Sequence, residues 1–211
     1  MKIHAEEFLT ESWRLLSLNR RRSAIALAIL AIPGLLIDLT MEEPDRVSSL
    51  LGFVALFLQF WITARLLEDF GRRSANGGGF GSVFVISLIS VVAVLLGFVL
   101  LIVPGVILFA RWSMAVPIAV GEGGGATVAL AESWRRTEGR FWPIITALAA
   151  IYLPAIALFL LILWLFPEAR LLQALFENIV LNGVFVMGWH AAIAFHLATS
   201  AKQSTLGEVF A

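Results

Sequence analysis

The chain carries the tetrapeptide Glu11-Ser12-Trp13-Arg14 and repeats it as Glu132-Ser133-Trp134-Arg135, each time ahead of a long apolar run. The same offset of 121 residues places the Ala-Leu-Ala of 26–28 on that of 147–149, and Pro33 on Pro154. Such a pattern predicts a duplicated unit, in which a surface helix precedes a pair of membrane-spanning helices that run parallel in the two copies. The repeats would cover about 4–67 and about 126–199, with a central hairpin at about 80–120.

The composition predicts an integral membrane protein. The chain of 211 residues is 60% hydrophobic and 14% charged, whereas soluble domains carry about 25% charged residues. Apolar runs of about 20 residues recur along it, and each is long enough to cross the roughly 30 Å hydrocarbon core of a bilayer. We therefore expect a single all-α membrane domain over 1–211, with almost nothing outside the membrane.

Several functional classes find no support in the sequence. The net charge is zero, so no nucleic-acid partner is expected. Cysteine is absent, which excludes disulfides, thiol catalysis and Cys-ligated metals. The three histidines lack the spacing of a metal site, and no cofactor motif is present. No cleavable signal peptide is expected, because the first apolar run begins only after the arginines at 20–22.

Six transmembrane helices and two amphipathic helices are predicted from the apolar pattern. The transmembrane helices fall at about 23–39, 47–67, 80–103, 106–120, 141–166 and 171–199. The amphipathic helices fall at 4–19 and 126–138, and both match the pattern of helices that lie in a membrane interface. Trp13, Arg14, Trp134 and Arg135 are the residue types that suit the headgroup level. The alternative for 4–19 is a solvated leader helix.

Pro104-Gly105 separates the third and fourth predicted helices and is interpreted as a hinge, since Pro interrupts the helical ladder and Gly permits a tight turn. The fourth helix has 15 residues and would rise only about 22 Å. It is either a short, upright span or one half of a re-entrant hairpin. The full span is favoured because it gives a consistent distribution of charge.

The distribution of basic residues predicts the orientation. Twelve of them fall on one side of the predicted bundle: Lys2, Arg14, Arg20, Arg21, Arg22, Arg65, Arg72, Arg73, Arg135, Arg136, Arg140 and Lys202. The other side holds Arg46 and Arg170, while Arg111 lies within the membrane. By the positive-inside rule, both termini are expected in the cytoplasm.

One region resembles a known family. The matching positions are Ile102-Val103-Pro104-Gly105-Val106, Arg111-Trp112-Ser113, Pro117, Glu122-Gly123, Ala129-Leu130, Ser133-Trp134 and Thr137-Glu138-Gly139-Arg140-Phe141-Trp142. They resemble bacterial membrane proteins related to the membrane domain of glycerophosphodiester phosphodiesterase, a group that includes the YciC-like proteins. The family usually has a basic residue in place of Glu138. The resemblance implies a multi-pass inner-membrane protein. It does not carry over an enzyme activity, because the phosphodiesterase chemistry of the fused relatives belongs to a separate soluble barrel.

Arg111 is the most costly residue in the predicted bundle, because an unpaired Arg at membrane depth costs a few kcal/mol. Glu177 lies at a similar distance from the same side, so we expect the two to form an ion pair. The alternative is that Arg111 extends towards the surface while Glu177 sits near the interface.

A polar stripe runs along the sixth helix at alternating spacings of four and three residues: Asn178, Asn182, Phe185, Trp189, Ala192 and His196. It serves either as hydrogen-bonding contact between helices, worth about 0.6 kcal/mol per bond, or as one wall of a polar cavity. Gln59 on the second helix could face it, and Glu122 ends the fourth helix on the basic side.

The functional prediction is non-enzymatic: binding or transport of a lipid or amphiphilic solute, or a role in membrane homeostasis. The candidate ligand-binding residues are Arg111, Glu177, Asn178, Asn182, Gln59 and Glu122. The alternative is a scaffold that docks partner membrane proteins. The expected partners are membrane lipids, and either a second copy of the chain or another membrane protein.

Overall fold

The structure, a computed structural model, describes residues 4–41 and 45–209, with side-chain surroundings over 4–41 and 50–200. The predicted positions Lys2, Arg46 and Lys202 lie outside the side chains so described. The helices are α1 (Ala5–Leu18), α2 (Arg20–Thr40), α3 (Asp45–Asp69), α4 (Phe80–Leu100), α5 (Ile102–Arg111), α6 (Ala115–Glu122), α7 (Gly125–Thr137), α8 (Phe141–Leu165), α9 (Arg170–Leu175) and α10 (Asn182–Val209). A π turn, Phe176–Leu181, joins α9 to α10.

The predicted all-α fold is confirmed over the described residues. Six helical segments are long and apolar enough to cross a membrane: Arg20–Thr40, Leu50–Asp69, Phe80–Leu100, Ile102–Glu122, Phe141–Leu165 and Arg170–Ser200. Two of them are interrupted in ways that were not predicted. The fourth breaks at 112–114, between α5 and α6, and the sixth contains the π turn.

The bundle has two distinct ends. At one, the basic end, Arg22 at the start of α2 pairs with Asp69 at the end of α3, at 2.5 Å. Helices α1 and α7 lie at this end, together with the ends of α6 and α10. At the other, the far end, the Arg170 guanidinium donates to the Asp38 carbonyl oxygen, at 3.3 Å. The arginines that the positive-inside rule grouped together thus lie at one end of the fold.

Exposed tryptophans bracket the apolar part of α8. Trp142 and Trp164 are 75% and 77% exposed. Their separation of 22 positions corresponds to a rise of about 33 Å along an ideal helix, close to the roughly 30 Å of bilayer hydrocarbon. Since Trp is enriched at membrane interfaces, these two side chains mark the two surfaces, and Tyr152 lies near the midplane.

The turn between α4 and α5 lies at Leu101, not at the predicted hinge. Leu101 is extended, with φ −161° and ψ 135°, and α5 has already begun at Ile102. Pro104 therefore occupies the first turn of α5, where a missing N–H leaves no bond unmade. Gly105 serves close packing rather than a turn, since a Cβ there would lie 2.6 Å from the Phe98 ring.

The two amphipathic helices bury their apolar faces against the bundle. In α1 the buried residues are Phe8, Ser12 and Leu15, and the Phe8 ring meets the Phe195 ring of α10 edge-on at 4.7 Å. Trp13 and Trp134 remain exposed. The predicted helices are confirmed, but the apolar face of α1 packs on protein, so it is not free to enter lipid.

Candidate ligand-binding cleft

A cleft of about 690 Å³ opens into the middle of the bundle. Its walls come from α2, α3, α4, α5, α6, α8 and α10. Exposed residues at its rim include Gly52, Val91, Leu95 and Phe185, so the cleft opens sideways, toward the membrane. Tyr152 lines it, which places the cleft near the midplane defined by the α8 tryptophans.

The cleft is apolar with a few uncharged polar groups. Gln59 of α3 and Asn182 of α10 line it, and Ser87 and Ser90 lie along α4. Asn182 donates from Nδ2 to the Asn178 carbonyl oxygen at 2.9 Å. Among the described residues, no Asp, Glu, Lys or Arg contributes to the lining. The cleft can therefore hydrogen-bond a ligand but offers no countercharge to one.

The polar stripe of the sixth helix contributes four members to this cleft: Asn182, Phe185, Trp189 and Ala192. The two ends of the stripe lie outside the cleft. Asn178 is buried and donates from Nδ2 to the Asp38 carboxylate of α2 at 2.6 Å. His196 is buried at the basic end, near Arg136. The middle of the stripe thus forms a cavity wall, although the cavity is largely apolar and not polar as predicted, while the ends make contacts between helices.

Three aromatic rings join the walls. The Tyr152 ring meets Phe109 of α5 at 5.7 Å and Phe185 of α10 at 6.2 Å, both edge-on. The Tyr152 hydroxyl rests on the backbone of Gly188, where any Cβ would overlap it. Glycine is required at 188 because a larger residue would force the ring of Tyr152 to move.

Ser133 of α7 stabilises the helix break at 112–114. Two residues of that break, Trp112 and Ser113, line the cleft. Its Oγ donates to the Arg111 carbonyl oxygen at 2.7 Å and accepts from the Met114 backbone N–H at 3.2 Å. These groups flank the break, where the regular helical bonds are lost. A buried side chain of the surface helix therefore takes the place of backbone hydrogen bonds within the membrane segment.

The predicted ion pair between Arg111 and Glu177 is not formed. Arg111 turns toward the basic end, where its guanidinium lies over the Trp134 and Phe141 rings, at 5.2 and 5.8 Å. It also donates to Thr137 Oγ1 at 3.3 Å, while its buried Nε has no partner among the described residues. Glu177 is exposed in the π turn near the far end, as in the interface alternative. The prediction failed because the break at 112–114 directs the end of α5 to α7.

Glu122 belongs to a charged cluster at the basic end, outside the cleft. Arg136 of α7 binds its carboxylate in a bidentate pair, at 2.7 and 2.6 Å. Arg136 also donates to Glu132 at 2.5 Å and to Ser200 of α10 at 3.2 Å. Because Arg136 is only 6% exposed, this cluster fastens α7 to α6 and α10 with little solvent screening.

Glu132 accepts from two arginines. The hydrogen bond from Arg135 and then that from Arg136 lower the pKa of its carboxyl from 4.5 to about 2, against the opposing effect of burial. The same carboxylates raise the pKa of Arg136, although burial opposes this most strongly. Glu132 and Arg136 therefore stay ionised throughout the neutral range.

The two tetrapeptides adopt the same local geometry. Arg14 binds Glu11 at 2.8 and 2.6 Å, and Arg135 binds Glu132 at the same two distances. Ser12 and Ser133 are both buried. The neighbours of the helices differ, because α1 packs on α10 and α8, whereas α7 packs on α6 and α4.

Sequence reasoning missed three residues of this region: Arg136, Asp38 and Tyr152. Arg136 could have been found from the repeat, since the first copy has Leu15 at the matching position and a charge that replaces a core residue calls for partners. Asp38 lies a few residues before the acidic stretch that follows the first predicted span, and nothing in the sequence sets it apart from that stretch. Tyr152 is the chain's one tyrosine, but nothing around it in sequence indicates a cavity.

A comparison with known proteins finds no matching family model, no matching curated protein and no matching solved structure. The resemblance to the phosphodiesterase-related membrane family therefore stays a prediction.

Proposed function

We propose that the protein binds a membrane amphiphile in the midplane cleft, with an apolar chain along the cleft and an uncharged polar group near Gln59 and Asn182. The observation that carries the proposal is an apolar cleft that opens toward lipid and has hydrogen-bonding groups on its walls. Its volume lies within the range of about 300–1,000 Å³ that is usual for ligand sites.

The position of the cleft favours a role in moving or sensing the ligand over static packing. In membrane transporters, substrate sites lie near the midplane and are formed in part by discontinuous helices. Here the break at 112–114 borders the cleft, and the π turn lies just before Asn182. Helix irregularities of this kind concentrate at functional sites. We therefore favour transport of the amphiphile over storage.

The candidate residues divide by location. Gln59 and Asn182 would orient the polar group of the ligand. Asn178 would support Asn182, whose side chain donates to its carbonyl oxygen. Arg111 and Glu122 would act at the basic end by fixing α7, and Glu177 would face the membrane surface. None of these proposed roles is enzymatic, and within the part of the chain whose side chains are described no arranged acid–base pair contributes to the cleft lining.

We further propose that the basic end faces the cytoplasm of a bacterial inner membrane and that the two halves arose by duplication. The orientation rests on the arginines gathered at that end. The duplication is supported by the matched ion pairs and by two residues at equivalent positions, Ala26 and Ala147, that are both fully buried. The different packing of α1 and α7 indicates that the copies have diverged.

The test is native mass spectrometry of protein extracted gently from its own membrane, with one variant that fills the cleft and one matched control. Ser90→Trp places an indole in the cleft, whereas Leu88→Trp adds the same side chain to the outer face of α4, where Leu88 is 55% exposed. We expect a lipid adduct on the native protein and on Leu88→Trp, and its loss from Ser90→Trp.

Two results would count against the proposal. An adduct that survives Ser90→Trp, in a variant that still elutes as the native species, would place the lipid outside the cleft. A native protein that carries no lipid but co-purifies with a stoichiometric protein partner would instead support the scaffold alternative.

A further inference from the structure

The tip of the α4–α5 hairpin is apolar and exposed. Its five residues, Val99, Leu100, Leu101, Ile102 and Val103, are 66–81% exposed. Contiguous apolar surface of this kind on a soluble face marks an interaction site or a liability. The tip therefore needs a nonpolar environment.

The hairpin also stops below the far surface. The contact between the Phe109 and Tyr152 rings sets α5 level with the middle of α8. From there, seven residues lead back to Ile102, a rise of at most about 10 Å, whereas twelve residues of α8 lead to Trp164, about 18 Å. The tip consequently lies roughly 8 Å short of the level that Trp164 marks.

The backbone of the turn suits a medium without water. The connection consists of one residue, Leu101, whose N–H donates to the Gly97 carbonyl oxygen at 3.0 Å. Pro104 removes one of the N–H groups that the start of a helix leaves unpaired. Gly97 and Gly105 let the two backbones touch, since a Cβ at Gly97 would lie 2.8 Å from the Gly105 Cα. In hydrocarbon each unpaired polar group is costly, so a short turn with few of them is favoured.

The other far-end connections have the opposite character. The segment between α8 and α9 contains Glu168, and α9 begins with Arg170. The segment between α2 and α3 is acidic in sequence. Both of these connections therefore carry charged residues in sequence, whereas the α4–α5 tip has none.

We infer that the α4–α5 hairpin is re-entrant, entering from the basic end with its tip in the hydrocarbon of the leaflet at the far end. The occupant around the tip is lipid acyl chain. All six segments are long enough to cross the membrane, but α4 and α5 lie tilted to the membrane normal and end inside the bilayer. This inference does not depend on the ligand of the cleft.

Single-cysteine spin labelling tests the inference directly, because the native chain contains no cysteine. We would label Leu101→Cys at the tip and Glu168→Cys as the control at the same end, in vesicles of phosphatidylethanolamine and phosphatidylglycerol. Val99→Cys provides a second tip position, in case Leu101→Cys fails to fold. Collision with oxygen reports hydrocarbon, and collision with a water-soluble nickel chelate reports water.

The expected result is an oxygen-to-nickel collision ratio several-fold higher at the tip than at 168. Nickel access at the tip equal to that at 168 would place the tip in water and overturn the inference. Low access of both reagents at the tip would also overturn it, because the tip would then be covered by protein, such as a second copy of the chain.

Discussion

Arg136→Leu is the most informative perturbation of the charged cluster, because it converts the second repeat to the residue of the first. Arg136 is 6% exposed and pairs with two carboxylates. Removing one partner of a buried pair costs about 3–5 kcal/mol. Glu122 is partly exposed and can regain water, and Glu132 keeps Arg135, so the lower end applies. Burial of the new Leu side chain recovers about 1 kcal/mol of this cost.

We therefore expect Arg136→Leu to lower the free energy of unfolding by about 2 kcal/mol. The matched control is Arg135→Leu, which removes the partner of Glu132 that is 61% exposed. An exposed pair is worth about 0.2–1 kcal/mol. The measurement is reversible unfolding in mixed micelles, with both variants at the same detergent composition.

The two variants must differ for the reasoning to stand. Equal destabilisation, or a stabilised Arg136→Leu, would show that the cluster contributes no more than an exposed ion pair. Adding Glu122→Gln to Arg136→Leu gives an independent check, because it removes the carboxylate that is left without its partner. The double variant should recover part of the lost free energy.

Three further outcomes are expected. The pKa of Glu132 is lowered to about 2, so its contribution to stability is complete above the unfolded pKa of 4.5 and is lost as pH falls toward 2. Glu132→Gln should therefore weaken the dependence of the free energy of unfolding on pH in that window. An unchanged pH dependence between 4.5 and 2 would contradict this. Ser133→Ala leaves the backbone groups at the helix break without their partner and should lower the free energy of unfolding by about 2 kcal/mol. The control Ser12→Ala loses one bond within its own helix and should lower it by less than half as much. Equal losses of free energy in the two variants would contradict a special role for Ser133 at the break. Gly188→Ala forces the Tyr152 hydroxyl aside and should weaken the lipid adduct in native mass spectrometry. Adding Tyr152→Phe should restore part of the adduct. If nothing is restored, the Tyr152 ring does not mediate the effect.

Hydropathy predicted the long helices well because most of the apolar runs are about as long as one crossing, the fourth predicted helix being the short exception. It did not predict the break after Arg111. Pro117 bears on the break, because its ring would meet the Ser113 carbonyl in a continuous helix, but the group that stabilises the break comes from Ser133 in another helix. Pro104 and Gly105 suggested a hinge, although both fit within or against regular helix. Local sequence carries helix propensity, whereas the partner of an unpaired backbone group is a property of the fold.

The cleft was only partly predictable for the same reason. The spacing of Asn182, Phe185 and Trp189 placed them on one face of a helix, and the cleft does lie there. The expected pairing of Arg111 with Glu177 assumed that equal distance from the chain turns means equal depth and a shared neighbour. Aromatic rings on α7 and α8 supplied a nearer site for the guanidinium.

The contact of Phe8 with Phe195 has a consequence for the order of synthesis. Helix α1 is made before α10, and the Phe195 ring that covers its apolar face belongs to that later helix. The adjacent His196 lies against Arg136 of α7, so the same turn of α10 also meets the charged cluster. Until the ribosome has delivered that turn, α1 keeps an open apolar face, which an amphipathic helix can shelter among lipid headgroups. Helix α10 thus completes the burial of α1, although α1 is made long before it.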